Sequence, residues 1–345
     1  MVSINFCNSD NISALMKFIG KNWASQHILA KNIKFMKWQH YSNKKNRYNF
    51  VIATFNSKII GCHGFISHSH FSEELSSNDT VWLVNWLALK GLPNPGLDLL
   101  FFPMKSLNFK KIGTVGCNSR ATAIFKALGF KVGELNHYFA VNPNISNFSL
   151  IIAPKNLMNS LKSSSKNIQS KKLKLTNSKF QLGVFGKDID KLIKKFGKDE
   201  TYFINRYIRH PYYKYKIYWI YSLNNSLGFI VTRICKFQDK KALRIVDFFG
   251  HDKALIGINV PLQQLLVKIG AEYVDFYEYA IDDLVMSKSG LHKNNFNDQI
   301  VVPNYFEPFV KQNINLRWAI KTSNSIMTPM FKGDCDQDRP NKLQE

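Results

Sequence analysis

The chain has 345 residues, 45% of them hydrophobic and 14% aromatic, which is enough to bury a sizeable core in two domains and excludes a disordered protein. A net charge of +23 would suit nucleic acid or small polyanions, but richness in Lys, Asn, Ile and Phe together is the bias of an AT-rich genome, and no basic-aromatic RNA-binding motif accompanies it, so no nucleic-acid partner is expected. Five scattered cysteines without a Cys-x-x-Cys pair argue against disulfides and zinc, and neither a membrane-length apolar run nor a signal-peptide pattern is visible, so a cytoplasmic protein is expected.

Residues 1–145 read as an α/β unit. The pattern predicts a strand at Ser3–Phe6, then a helix capped by Asp10 with Ile12, Leu15, Met16, Ile19 and Trp23 at helical spacing. A helical stretch over His27–Tyr41 follows. "RYNFVIATF" and "KIIGCHGFI" read as strands joined by an Asn56-Ser57 turn. Strand Thr80–Lys90, helix Gly96–Leu107, strand Ile112–Gly116, helix Arg120–Leu128 and a strand pair over Lys131–Val141 complete the unit.

Residues 146–179 are basic and polar. No acidic residue occurs between Glu134 and Asp188, and a linker or exposed crossing segment is expected. Residues 180–345 then repeat the order. Strand Phe180–Val184, helices Asp188–Phe196 and Glu200–Ile208, strands Tyr215–Tyr221 and Leu227–Cys235 around Asn224-Asn225, and strand Ala242–Phe249 come first. Helix Val260–Ile269, strand Tyr273–Tyr277 and helix Asp282–Lys288 follow. "KSGL" stands where "ALGF" stood in the first copy. A tandem duplication of a mixed-sheet α/β fold is expected.

The stretch "NSRATAIFKALGF", with Asn118, Ala121, Phe125, Gly129 and Phe130 at fixed spacing, resembles the helix-and-glycine motif of the GNAT acyltransferase superfamily. Gly129 would end the helix in a left-handed cap. Phe125 stands where that pattern usually has an acidic tyrosine. The companion phosphate turn would be "KGLPNPGLDLL", with Gly96 at its last glycine, Asn94 replacing an earlier one, and prolines removing backbone donors. The second copy lacks both signatures, so one acyl-CoA is expected, in the first half, against Leu87, Leu89, Asn94, Gly96, Leu97, Asn118 and Phe125.

"FIGKNWASQHILAKNIKFMKWQHY", "RYIRHPYYKYKIY", "VVPNYFEPF" and "GDCDQDRPN" extend the resemblance to tandem-GNAT sugar N-acyltransferases of bacterial surface-polysaccharide clusters. That resemblance implies transfer of a 3-hydroxybutanoyl or acetyl group from acyl-CoA to the amino group of a dTDP-linked amino-dideoxy sugar, for O-antigen or capsule. An aminoacyl-tRNA-dependent transferase of the same fold and an inactive binding module are the alternatives. Phe125 is compatible with catalysis, because a thiolate (thiol pKa roughly 8.5) departs with little proton donation.

No base stands out. Asn85 lies where many such enzymes have a glutamate. Its counterpart Asp247 is a candidate base or amine-orienting group, or an acid paired with Arg244 or Arg233. Arg206, His210, Tyr305, Glu307 and Arg339 are the acceptor candidates; Arg206, His210 and Tyr212 could hold phosphate, stack on thymine or pack. His68 and His70 lack the ligands that would complete a metal site and read as a surface loop. Asp334, Asp336 and Asp338 imitate the start of a calcium loop, but a folded-back tail, with Arg339 at a phosphate or acid, fits them better.

Overall fold

The computed structural model describes residues 1–91, 93–162, 171–176, 180–222, 225–295, 299–323 and 328–341. Two twisted sheets carry the fold. The first runs, in spatial order, Ser3–Phe6, Phe50–Phe55, Lys58–Ser67, Thr80–Ala88, Lys111–Val115, Arg317–Thr322, Lys131–Glu134. The second runs Lys172–Leu175, Lys216–Ser222, Asn225–Phe237, Lys240–Gly250, Tyr273–Tyr279, Asn136–Val141, His292–Lys293. In both, the fourth and fifth strands are parallel and the other neighbours along this order are antiparallel. The duplication expected from the repeated pattern is thus written in the topology.

The sixth strand of each sheet comes from the other half of the chain. Lys131–Glu134 and Asn136–Val141, expected as a pair, lie in different sheets. A single residue, Leu135, separates them, too few for the two-residue turn a hairpin needs. The chain therefore runs straight from one sheet into the next, and Arg317–Thr322 returns to fill the vacancy between Lys111–Val115 and Lys131–Glu134. Sheet membership does not follow the division at residues 145 and 180.

The described residues of the segment 146–179 do more than an exposed linker would. Leu150, Ile151 and Leu161 pack into a cluster with Phe139, Tyr273 and Val302, and Lys172–Leu175 is the first strand of the second sheet. "KLKL" alternates, so its leucines turn inward while the lysines stay outside, as suits an edge strand. Phe180–Val184, expected to be that strand, is instead the approach to a 3₁₀ turn at Leu182–Asp188, with Gly186 at φ +51°. The first helix, Ile12–Asn22, follows a turn closed by Asn8 Oδ1, which accepts from the Asp10 and Asn11 amides; Asp10 does not cap it. Asn56 and Ser57 both take positive φ (48° and 62°), the requirement of a type I′ hairpin. Asn224 of the matching turn lies outside the described residues.

One core cluster joins the sheets, uniting Trp82, Val84 and Val115 of the first with Phe229, Phe248 and Phe276 of the second. No helix among the described residues is long and apolar enough to cross a membrane.

The last described segment threads this core. Met330–Phe331 pairs with Glu278–Tyr279, and the Gly333 amide donates to the Val246 carbonyl at 2.7 Å. The tail thereby fills the gap where Lys240–Gly250 and Tyr273–Tyr279 part after their three-residue parallel contact. Lys198, fully buried, reaches Asp247 and Asp334 at 2.8 Å each. Burial alone would lower its pKa, but the two carboxylates outweigh burial and raise it. Asp338 accepts from Arg233 at 2.7 and 3.0 Å and from the Tyr215 hydroxyl at 2.8 Å. Lys198→Met should cost about 3–5 kcal/mol, because it strands two buried carboxylates. Urea denaturation measures this, and a change under 1 kcal/mol would show that the tail is held by its packing alone.

Candidate active site

Strands Thr80–Ala88 and Lys111–Val115 pair in parallel only over Thr80–Trp82 and Lys111–Gly113. Beyond that they diverge, and here the gap stays open as a cleft of about 450 Å³. A bulge helps to spread it. Gly64 pairs with Val84 and Cys62 with Leu87, so Asn85 and Trp86 together oppose His63 alone, and Asn85 takes φ +51°. The second sheet has its own bulge at the corresponding place, where Val231 pairs with Asp247 and Thr232 with Ile245.

Asn85 lines the cleft, is 5% exposed, and neither its Oδ1 nor its Nδ2 finds a partner among the described residues. Leu89, Asn94, Gly96 and Leu97 form one side of the opening, whereas Leu87 turns towards the cluster around Phe50 and Cys62. The helix Gly96–Ser106 begins after Pro95 with no side chain capping it. Of its first amides, that of Gly96 is taken by the Asn94 side chain, and Asp98 already occupies the first turn, which leaves a weak anion site. Asn94 Oδ1 accepts from the Gly96 amide at 3.1 Å, and Trp86 Nε1 donates to the Gly96 carbonyl at 3.0 Å.

On the opposite side, Asn118 caps helix Ser119–Ala127, its Oδ1 accepting from the Ala121 amide at 2.8 Å. The helix ends in the expected manner. Gly129 has φ +77°, and the Phe130 and Gly129 amides return to the Phe125 and Lys126 carbonyls at 3.0 Å each. Phe125 is 2% exposed, its ring 6.0 Å from Trp86 and 5.0 Å from Phe130. Lys90, Arg120 and Arg339 bring cations to the cleft.

Most of the acceptor candidates do not line the cleft. Asp247 does not line the cleft: it is fully buried, bound by Lys198 and by the Tyr207 hydroxyl at 2.7 Å, and burial, with Asp334 beside it, pushes its pKa up to about 6 despite the Lys198 charge. Its partner is neither Arg244 nor Arg233. Arg206 is spent on the tail, donating to the Cys335 and Gly333 carbonyls at 2.7 and 3.3 Å. His210 accepts from the Tyr212 and Tyr213 amides, and burial, followed by the Arg206 charge, holds its pKa near 3, so it is uncharged at neutral pH. Glu307 accepts from the Tyr213 hydroxyl at 3.0 Å. Of these candidates Arg339 alone lines the cleft, and Tyr305 touches it indirectly, its hydroxyl donating to Gln337 at 3.0 Å.

The histidines also depart from expectation. His68 is buried rather than in a surface loop, with Nδ1 2.7 Å from the Gly197 carbonyl and Nε2 accepting from Trp82 at 2.9 Å. His63 lines the cleft, its ring stacked 5.5 Å from Trp86, and burial lowers its pKa to about 4. The three tail aspartates diverge to Lys198, Arg339 and Arg233, so they do not converge on a shared cation. The tail folds back with Arg339 on an acid, as expected; what sequence patterning missed is that Asp336 and Gln337 form a wall of the cleft beside Thr114, Gly116 and Cys117.

Neither a protein-family model nor a curated protein matches the sequence. Among solved structures, the chain is similar to a GCN5-related N-acetyltransferase from Anabaena variabilis, with TM-score 0.52 and 11% identity over 94% of this chain and 73% of that one. It is also similar to a conserved protein of unknown function from Enterococcus faecalis, described as a probable N-acyltransferase, with TM-score 0.52 and 7% identity over 93% and 73%. The likeness is one of fold. This chain has the GNAT fold, twice over.

Gly116 (φ +83°) and Gly91 (φ +82°) share a backbone conformation that costs a residue with Cβ about 1–3 kcal/mol. A Cβ on Gly91 meets nothing within 4 Å among the described residues, whereas one on Gly116 overlaps the Gln337 amide. Gly116→Ala should therefore lower the melting temperature more than Gly91→Ala. Equal losses in thermal denaturation would mean that the tail leaves Gly116 without cost.

Proposed function

We propose that the protein is an acyl-CoA-dependent N-acyltransferase, with the acyl donor in the first cleft and a primary amine as acceptor. The observation that carries this is the splayed pair of parallel strands, whose gap opens onto the N-terminus of helix Gly96–Ser106, flanked by Lys90 and Arg120. A pantetheine chain fits a narrow gap of this kind, and its pyrophosphate would meet backbone amides and two cations. The orphaned Asn85 amide supports the same reading, since an amide or thioester carbonyl in the cleft would satisfy it.

The acceptor we propose is the amino group of a dTDP-linked amino-dideoxy sugar, receiving a 3-hydroxybutanoyl or acetyl group, as the sequence resemblance implies. Trp23, 47% exposed at the cleft, offers a ring face for thymine, and Arg339 a charge for the diphosphate. The transfer needs a neutral amine held against the thioester carbonyl, and positioning supplies much of the rate.

Calorimetry should give one equivalent of coenzyme A per chain, because the tail fills the corresponding gap in the second sheet. Two equivalents, or none, would overturn the reading. Mass spectrometry of a panel of dTDP-amino sugars incubated with several acyl-CoAs tests the acceptor; amine acylation without preference for a nucleotide sugar would remove the sugar from the proposal. Phe125→Tyr should change the rate no more than a few-fold, since the thiolate leaves unaided and a new hydroxyl between Trp86 and Phe130 would need a partner. A gain of tenfold, about 1.4 kcal/mol of barrier, would show leaving-group protonation to be limiting.

A further inference from the structure

Among the described residues that line the cleft, Asp336 is the one carboxylate, and it arrives from the far end of the chain. The tail delivers it through Cys335, which lies at the fork of the diverging strands. The Cys335 thiol donates to the Leu83 carbonyl at 3.5 Å, and its φ of +61° turns the backbone towards the opening. Gln337 then covers Gly116 and is held by the Tyr305 hydroxyl. Asp336 is 8% exposed. Its Oδ2 accepts from Arg339 Nε at 3.0 Å, while Oδ1 has two weaker contacts, Gln337 Nε2 at 3.3 Å and the Cys335 thiol at 3.8 Å.

The other groups facing this carboxylate are Tyr305 beneath Gln337 and His27 from the helical stretch near the N-terminus. His27 is uncharged, burial having lowered its pKa to about 3. Lys90 and Arg120 share the cleft. One oxygen of Asp336 therefore has its cation and the other has none. The alternatives are poorer. Asn85 cannot take a proton, Asp247 is sealed behind Lys198, and His63, neutral in its buried position, offers no negative charge to an ammonium.

Resting on the acyl transfer proposed above, we infer that Asp336 receives the acceptor's ammonium at Oδ1 and removes its proton. The amine nitrogen, its lone pair freed, forms a bond to the thioester carbonyl carbon. The carbon–sulfur bond breaks and its electron pair leaves on sulfur. The second proton lost by nitrogen ends on that thiolate, and the first passes from Asp336 to water, so amine cation and thioester become amide, thiol and one released proton. The first half thus takes its base from the tail that the second half anchors.

The test uses the full chain with acetyl-CoA and dTDP-3-amino-3,6-dideoxygalactose, following amide formation from pH 6 to 9, with coenzyme A affinity measured alongside. Asp336→Asn should lower kcat/KM for the amine at least about 100-fold at pH 7, leave coenzyme A affinity within about twofold, and recover as rising pH supplies neutral amine. A deficit constant across pH marks a structural role and overturns the inference. So does a loss below about threefold, or a wild-type protein that binds coenzyme A yet acylates no amine. Failure of the wild type to bind coenzyme A would instead overturn the acyltransferase reading and this inference with it. Should Asp336→Asn not fold because Arg339 is stranded, Asp336→Asn with Arg339→Gln removes both charges, and the pH dependence of its kcat is read in the same way.

Discussion

A single ammonium group out of reach of water organises this molecule. Lys198 cannot remain charged in the core without anions, and the two it finds come from different places, Asp247 on the bulged strand of the second sheet and Asp334 on the tail. Satisfying it commits the tail to the gap between Lys240–Gly250 and Tyr273–Tyr279. Arg206 and the Arg233–Asp338 pair extend the commitment on either side. The outcome is an asymmetric pair built from one plan: one splayed gap is filled by the protein's own backbone, and the other is left for something else.

This asymmetry also explains why charge patterning misleads at the second half. Arg206 and Asp247 carry the residue types of a binding site, and both are consumed in holding the tail. A buried arginine on carbonyl oxygens and a free arginine awaiting a phosphate look alike in a sequence. What distinguishes them is a partner more than a hundred residues away, and no local pattern reports it.

Local chemistry was legible. The Gly129 cap and the Asn56-Ser57 turn follow from spacing and backbone preference, and each is where the pattern puts it. Lys172–Leu175 was hidden because its lysines, the mark of an edge strand, blend into a basic stretch. The bulge at Asn85 gives only a faint signal, an asparagine, which tolerates positive φ, inside an otherwise apolar strand. In the cleft, Asn94, Gly96, Asn118 and Phe125 could be placed from their motif, whereas Asp336 and Gln337 could not, since their position depends on how the tail is pinned. The exchanged strands were illegible for the same reason. A strand's sequence records which face is buried, not which neighbour lies beside it.

That exchange has a bearing on how the protein comes into being. The first sheet remains one strand short until Arg317–Thr322 has been made, so its edges at Lys111–Val115 and Lys131–Glu134 stay unpaired while the intervening strands of the second sheet are synthesised. An N-terminal half emerging from the ribosome holds an unsealed seam, the kind of edge that recruits other chains. Gene fission between the repeats, or recombination of one repeat with a foreign partner, would leave both products with a missing strand. The duplicated fold is inherited as an indivisible whole, although its plan is that of two.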